Sequence, residues 1–392
     1  MKIIYIGSFR LPNGDAAAPR VLNVARALRL AGHEVSFISW GGMQREEDLC
    51  EDGVYRVDGF PYIVTNELPQ PGTSAIGRLR NKIKRGWVTK RLLKEWPEYV
   101  DAIITYNNCL CRWLIPFCRK RDIALINDIT EWYAYNELKV TDWLGYAYDM
   151  HCIQPRVKNK IVISSFLNRF YKESHNIIVP ATCDASETKW KQGVAEAKEK
   201  VGEFDGITLI YAGTPARKDA VHYVINAVQR LIDEGADIRF LIVGAERERY
   251  LKKYADLLTK SELSERIQFL GRVPQEEVPS YYALADFMVL LRESNRKSNA
   301  GFPTKFAESF TSGTPVIANL TSDLGRYLFD DNTGFVVKEP TENAVYETLK
   351  KRVIGLTKDK IEQMKRNVGQ EAKRLDYHHY VEPLREFMNN LK

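Results

Sequence analysis

"NAGFPTKFAESFTSGTPVIAN", from Asn299 to Asn319, packs a loop, a short helix, a tight turn and a strand into one stretch. Phe306 and Phe310 stand four apart with Glu308 between them on another face, so a helix is predicted over Lys305–Thr311. Gly313 suits a left-handed cap, Pro315 stops the helix from continuing, and the apolar "PVIAN" re-enters as a strand. Gly301, Pro303 and Thr304 ahead of the helix, and one acid fixed within it, form a device for presenting backbone N–H groups to phosphate and a carboxylate to a hydroxyl.

The same alternation extends in both directions. "KIIYIG" (Lys2–Gly7) leads through a Gly/Pro/Asn/Asp loop to a helix with Val21, Val24, Leu28 and Ala31 in phase, and then to the strand "EVSFIS". "ITLIYAG" (Ile207–Gly213) repeats the plan, with Val221, Val224, Ile225 and Val228 in phase before "RFLIVG". Further strands are predicted at "DAIIT", "IALIN" and "KIVIS", and in the second half at "IQFLG", "DFMVLL", "PVIAN" and "GFVV". Strands alternating with helices imply parallel sheets with right-handed crossovers. The expected class is α/β, with two Rossmann-like domains facing across a cleft and ligands bound outside the carboxyl ends of the strands. The expected division is 1–183, 184–372 and a closing helix in 373–392, whose Tyr380, Leu384, Phe387 and Met388 share a face that packs on the first domain.

A chain of 392 residues is too long for one ordinary core. Its 44% apolar and 28% charged content is that of a soluble globular protein, and its opening apolar run is too short for a signal peptide. No stretch reads as a membrane span. The six cysteines, at 50, 109, 111, 118, 152 and 183, form no Cys-x-x-Cys pair, so neither a zinc site nor a disulfide frame is expected. The net charge of +6 is modest for this length, which makes its distribution the informative quantity.

Three features could carry chemistry. In "GTPARKD" (Gly213–Asp219), Gly213 permits a tight turn, and Arg217 with Lys218 put two cations where a diphosphate could lie. The alternative is a pair of solvated basic residues at a helix start, where the helix dipole disfavours them. Glu308 is placed to accept hydrogen bonds from a diol such as ribose, or simply to favour the dipole of its own first turn. Lys305 is either a phosphate contact or a long surface side chain.

Taken together, "GFPTKFAESFTSGTPVIAN", "YAGTPARKD", "FLIVG", "IQFLGRVP", "YYALADFMVLL" and "NTGFVV" resemble the donor half of the family 4 glycosyltransferases, which have the GT-B fold. "GHEVSFIS", "NKIVISSFLNRFY" and "NIIVPATCD" have the look of that family's acceptor domain. The resemblance implies a nucleotide-diphosphate sugar as donor, retention of anomeric configuration, and neither a bound metal nor another cofactor. It assigns Lys218 to the donor diphosphate with Arg217 beside it, Glu308 to the ribose hydroxyls, and the turn Gly301, Phe302, Pro303 and Thr304 to the diphosphate and sugar. Gly213, Thr214, Lys305 and Arg272 join the donor-binding set, and Gly14 with Asp15 lie where the first domain's glycine-rich loop approaches the same phosphates.

The chain departs from the family pattern in three places. The first of two paired glutamates falls at Ala300, with Asn299 or Glu293 the nearest substitutes. The arginine that commonly follows the second-domain glycine is Thr214, which leaves more of the charge to Arg217. No first-domain histidine stands out near the acceptor. "LINDITEWY" instead offers Glu131 and Asp128, the latter as a group that orients the acceptor hydroxyl or as a turn residue after a strand.

"GRLRNKIKRGWVTKRLLKEW" (Gly77–Trp96) carries Arg78, Arg80, Lys82, Lys84, Arg85, Lys90, Arg91 and Lys94 with no acid before Glu95. Leu79, Ile83 and Trp87 stand four apart, so a single helix here has an apolar strip rimmed by cations. That pattern suits an anionic bilayer surface, each basic residue contributing about 1 kcal/mol, better than a nucleic acid, on which the strip has no use. The expected partners are a nucleotide sugar, a glycan or lipid-linked acceptor and an anionic membrane surface, with no nucleic acid. The expected place is cytoplasmic, on the inner face of the cell membrane. A nucleotide-sugar epimerase of the same fold and a non-catalytic homologue, the latter suggested by Ala300, are the alternatives.

Overall fold

The structure is a computed structural model, and it describes all residues other than 13, 16, 69–73, 75–76, 78–84, 108–109, 134–137, 139, 191, 217–218 and 261, and the side chains of 140 and 141. The chain divides into two compact units, Met1–Thr182 with Tyr377–Lys392, and Cys183–Asp376. The boundaries thus fall after 182 and 376, where the sequence placed them after 183 and 372.

The strands of the first unit are β1 (Lys2–Leu11), β2 (Glu34–Gly42), β3 (Arg56–Val57), β4 (Phe60–Val64), β5 (Ala102–Tyr106), β6 (Ala124–Ile129), β7 (Asn159–Val162) and β8 (His175–Ile178). They form one sheet in the order β3-β4-β2-β1-β5-β6-β7-β8, parallel throughout except for the β3–β4 pair at the edge. The helix Ala17–Leu30 lays Val21, Val24, Ala25 and Leu28 on the sheet, against Tyr5, Phe37 and Ile104. The C-terminal helix Val381–Asn389 joins this core through Leu384, Phe387 and Met388. Arg385 donates to the carbonyls of Leu30 (3.1 Å) and Ala31 (3.3 Å), at the C-terminal end of the helix Ala17–Leu30, where a cation complements the dipole.

The second unit holds β9 (Ile207–Ala212), β10 (Ile238–Val243), β11 (Ile267–Phe269), β12 (Phe287–Leu290), β13 (Val316–Ala318) and β14 (Gly334–Val336). Their order is β11-β10-β9-β12-β13-β14, all parallel. β9 and β10 are buried at every residue, as expected of strands covered by helices on both faces. Val221–Asp233 forms the helix read from its periodicity, burying Val221, Val224, Ile225, Val228 and Leu231. The strand order reverses between β9 and β12, so the segments after these two strands diverge at the topological switch point.

The helix predicted over Gly77–Trp96 is not continuous. Gly86 has a φ of 81°, a left-handed conformation that no helix passes through, and the helix begins at Trp87 and ends at Lys94. Its N-terminus is met by Glu67, whose carboxylate accepts from the backbone N–H of Val88 (3.2 Å) and Thr89 (3.3 Å) and from the Thr89 hydroxyl (2.5 Å). Arg78, Arg80, Lys82 and Lys84 lie outside the described residues.

Candidate functional site

At the switch point of the second unit, three elements converge on Asp219. Tyr211, the penultimate residue of β9, donates from its hydroxyl to Asp219 Oδ2 at 2.7 Å. Arg292, just past β12, donates from Nε to Oδ1 at 3.3 Å. Lys305, in the first turn of the helix Thr304–Thr311, reaches Oδ2 at 3.3 Å and lies 4.8 Å from the centre of the Tyr211 ring. The Asp219 side chain is 1% exposed, against 14% for Arg292 and 17% for Lys305, so the anion sits behind the two cations. Burial, and then the neighbouring Asp219 charge, hold the Tyr211 hydroxyl far above its ordinary pKa, so it stays a donor. Asn319 fixes the backbone of Arg292 from both sides, accepting from its N–H (2.9 Å) and donating to its carbonyl (2.7 Å).

Gly213 is required by the same packing. Its φ is 128°, and a Cβ there would stand 2.3 Å from Lys305 Cε. Thr214 beside it is exposed and takes no part in the Asp219 cluster. Arg217 and Lys218 lie outside the described residues. Arg272, which the resemblance adds to the donor-binding set, follows β11, the edge strand two places from β9, and is exposed.

The helix Thr304–Thr311 starts one residue earlier than predicted, after Pro303, and no side chain among the described residues caps that end. Gly313 closes it with a φ of 75°. Phe302 is a packing residue, its ring 5.9 Å from Phe306 and 5.8 Å from Tyr327, and Pro303 is buried. Phe302 and Pro303 therefore offer a ligand only their backbone, whereas Thr304 is half-buried. Gly301 is held by the Ser322 hydroxyl, which donates to its carbonyl. Glu308 is half-buried, and burial pushes its carboxyl above the ordinary range against the opposing pull of Lys305 and Lys189. Tyr282, fully buried, feels the Glu308 charge, and its hydroxyl has no hydrogen-bond partner among the described residues.

Ala300 ends the short helix Arg296–Ala300 with none of its surface exposed. Of the two nearest substitutes, Asn299 accepts from the Ser322 N–H (2.9 Å) and donates to Ser294 Oγ (3.2 Å), and Glu293 is exposed.

In the first unit Asp128 is not available to an acceptor. It is fully buried at the end of β6, its oxygens held by Arg20 Nη2 (2.6 Å), Arg20 Nε (3.1 Å) and the Tyr5 hydroxyl. Arg20 also donates to the carbonyls of Val179 (2.9 Å) and Pro180 (3.0 Å), so the pair fixes the segment that leaves β8. Asp15 is likewise occupied in holding the fold, since its Oδ1 accepts from the N–H groups of Ala17 and Ala18, both at 3.1 Å, at the start of the helix Ala17–Leu30. Gly14 lies directly against Arg10, to whose carbonyl its N–H donates at 2.8 Å. Glu131 is exposed. Of the basic segment, Trp87 is 58% exposed, and Lys90 lies 5.6 Å from the Trp113 ring centre. Among the described residues no helix is long and apolar enough to cross a membrane.

Sequence reasoning missed Arg292, Tyr211 and the role of Asp219. The available signal was positional: each lies near the carboxyl end of a strand at the switch point or in the loop beyond it.

Two parallel-sheet, Rossmann-like units, the second with paired cations at its switch point, place the molecule in the α/β class that includes the GT-B proteins. Residues 194–375 match the family model described as glycosyl transferases group 1, and the second unit belongs to that family. Two curated relatives from Streptomyces kanamyceticus are similar over part of their length. Alpha-D-kanosaminyltransferase is 28% identical over 143 residues, covering 36% of this chain and 35% of the relative. 2-Deoxystreptamine glucosyltransferase is 27% identical over 144 residues, with the same coverage of 36% and 35%. The chain thus spans about a third of the length of the curated relatives it matches (35%). Two solved structures share the fold over essentially the whole chain. Sucrose-phosphate synthase from Thermosynechococcus elongatus has a TM-score of 0.72 at 15% identity, over 99% of this chain and 98% of that one. Anabaena Alr3699/HepE, in complex with UDP and glucose, has a TM-score of 0.68 at 15% identity, over 100% of both chains.

Proposed function

We propose that the protein is a retaining glycosyltransferase that moves a sugar from a nucleotide-diphosphate sugar to a glycan or lipid-linked oligosaccharide, in cell-surface polysaccharide synthesis. The observation that carries this reading is the pair Arg292 and Lys305, held by Asp219 at the switch point beside a helix start that no side chain among the described residues caps. Breaking a sugar–phosphate bond leaves a diphosphate with extra negative charge. Cations and amide dipoles fixed in advance stabilise that charge without reorganising. Glu308, one turn further on, accepts from the donor's ribose hydroxyls. Lys218 and Arg217 join the diphosphate contacts on the strength of the family resemblance, and Lys218→Ala is expected to abolish transfer.

The proposed acceptor partner brings the protein to the inner face of the cell membrane. Support comes from Trp87 and Val88, both exposed, beside Arg85, Lys90 and Arg91. Sedimentation with vesicles of graded anionic lipid content checks this: binding that rises with anionic lipid supports it, and indifference to lipid charge contradicts it.

The deciding experiment incubates the protein with a panel of nucleotide-diphosphate sugars, with and without glycan acceptors, and follows nucleoside diphosphate release together with the product anomer. Acceptor-dependent release with retained configuration is expected. A second reading, a homologue that binds a nucleotide sugar without turning it over, draws on the buried Ala300 at the position of the missing glutamate. Donor binding without release under every acceptor would select it.

A further inference from the structure

Asp219 accepts from donors on three separate elements, two of them cations. One cation already balances a buried carboxylate; a second is repelled by the first unless the arrangement serves something else. The trio keeps one net positive charge at the switch point. Arg292 uses only Nε on Asp219, so both of its Nη groups lack a partner among the described residues, while 14% of the side chain stays accessible. A guanidinium held by Nε presents its two Nη groups as a fork, the geometry that fits a phosphate with two parallel hydrogen bonds. Lys305 is steered to the same place from the other side, its Cε filling the space where Gly213 has no Cβ.

We propose that Asp219 is a positioning residue for donor binding, a proposal that rests on the nucleotide-sugar reading above. It holds Arg292 and Lys305 on its two carboxylate oxygens, with the Nη groups of Arg292 turned to the diphosphate. The pair then supplies what an arginine at Thr214 would have supplied, but from across the switch point.

Charge and position predict opposite results, which makes the test decisive. Asp219→Asn raises the net charge of the cluster from one to two, so an effect of charge alone tightens anion binding. Loss of positioning weakens it. The measurement is calorimetric titration of the full chain with UDP, GDP and ADP, using whichever wild type binds most tightly, alongside thermal melts. Asp219→Asn is expected to weaken that diphosphate about tenfold or more, and Asp219→Glu to restore part of the loss. Equal or tighter binding by Asp219→Asn overturns the proposal. Lys305→Met covers the case in which Asp219→Asn does not fold: about tenfold weaker binding is expected, and binding within twofold of wild type overturns the proposal. Wild type that binds none of the three diphosphates removes the donor reading itself, and this inference with it.

Discussion

Arg20 and Asp128 form an ion pair at 2.6 Å with 4% and 0% of their side chains exposed, and the same arginine carries the carbonyls of Val179 and Pro180. Removing one partner of such a pair leaves the other buried and uncompensated, at a cost of about 3–5 kcal/mol. Asp128→Ala should therefore lower the unfolding free energy in urea by about that amount, while turnover per folded molecule is kept. Lost turnover with unchanged stability would return Asp128 to the chemistry.

Gly213→Ala introduces a Cβ 2.3 Å from Lys305 Cε at a φ of 128°. Strain of this kind costs about 1–3 kcal/mol, and Lys305 must move to relieve it. The expected outcome is a lower melting temperature together with weaker nucleoside diphosphate binding. A stable variant with intact affinity would show that Lys305 does not need its observed position.

Ala300→Glu restores the family's carboxylate in name only. The site has no exposed surface, and an unpaired charge there is costly enough to disturb the helix Arg296–Ala300. A lower melting temperature with no gain in turnover is expected from melts and transfer assays. Higher turnover would show that the position still opens on the donor.

Glu308 links binding-site chemistry to pH. Its carboxyl is held above the ordinary value of 4.5 by burial, so between that value and the native pKa the folded state binds more protons than the unfolded chain. Stability from this group therefore falls as pH rises through that window and levels off above it. Glu308→Gln lacks the slope, so its stability relative to wild type should improve as pH rises from about 4.5. Urea unfolding of both proteins across pH gives the comparison; parallel curves would contradict the assignment.

The strands that organise both sheets were readable because parallel strands buried on both faces appear as continuous apolar runs, as in "ITLIYA" and "RFLIV". β3, β4 and β8 escaped because they are short or only partly buried, and β4 contains Pro61. Periodicity cannot see a left-handed residue, so Gly86 broke a helix that the apolar spacing had carried across it. At the site, loop composition pointed to the right end of the sheet but not to the partners. Nothing local distinguishes Asp219 from a surface aspartate, or Asp128 from a catalytic one: burial and the arrival of Arg292 and Arg20 from distant segments decide both.

Titrating UDP, GDP and ADP into wild type and Glu308→Ala in a calorimeter decides whether the second unit binds a donor nucleotide at the Asp219–Glu308 face of its sheet. At least one nucleoside diphosphate is expected to bind wild type, and Glu308→Ala is expected to bind it about tenfold or more weakly while melting as a folded protein. No binding to wild type, or equal affinity in the two proteins, would contradict it.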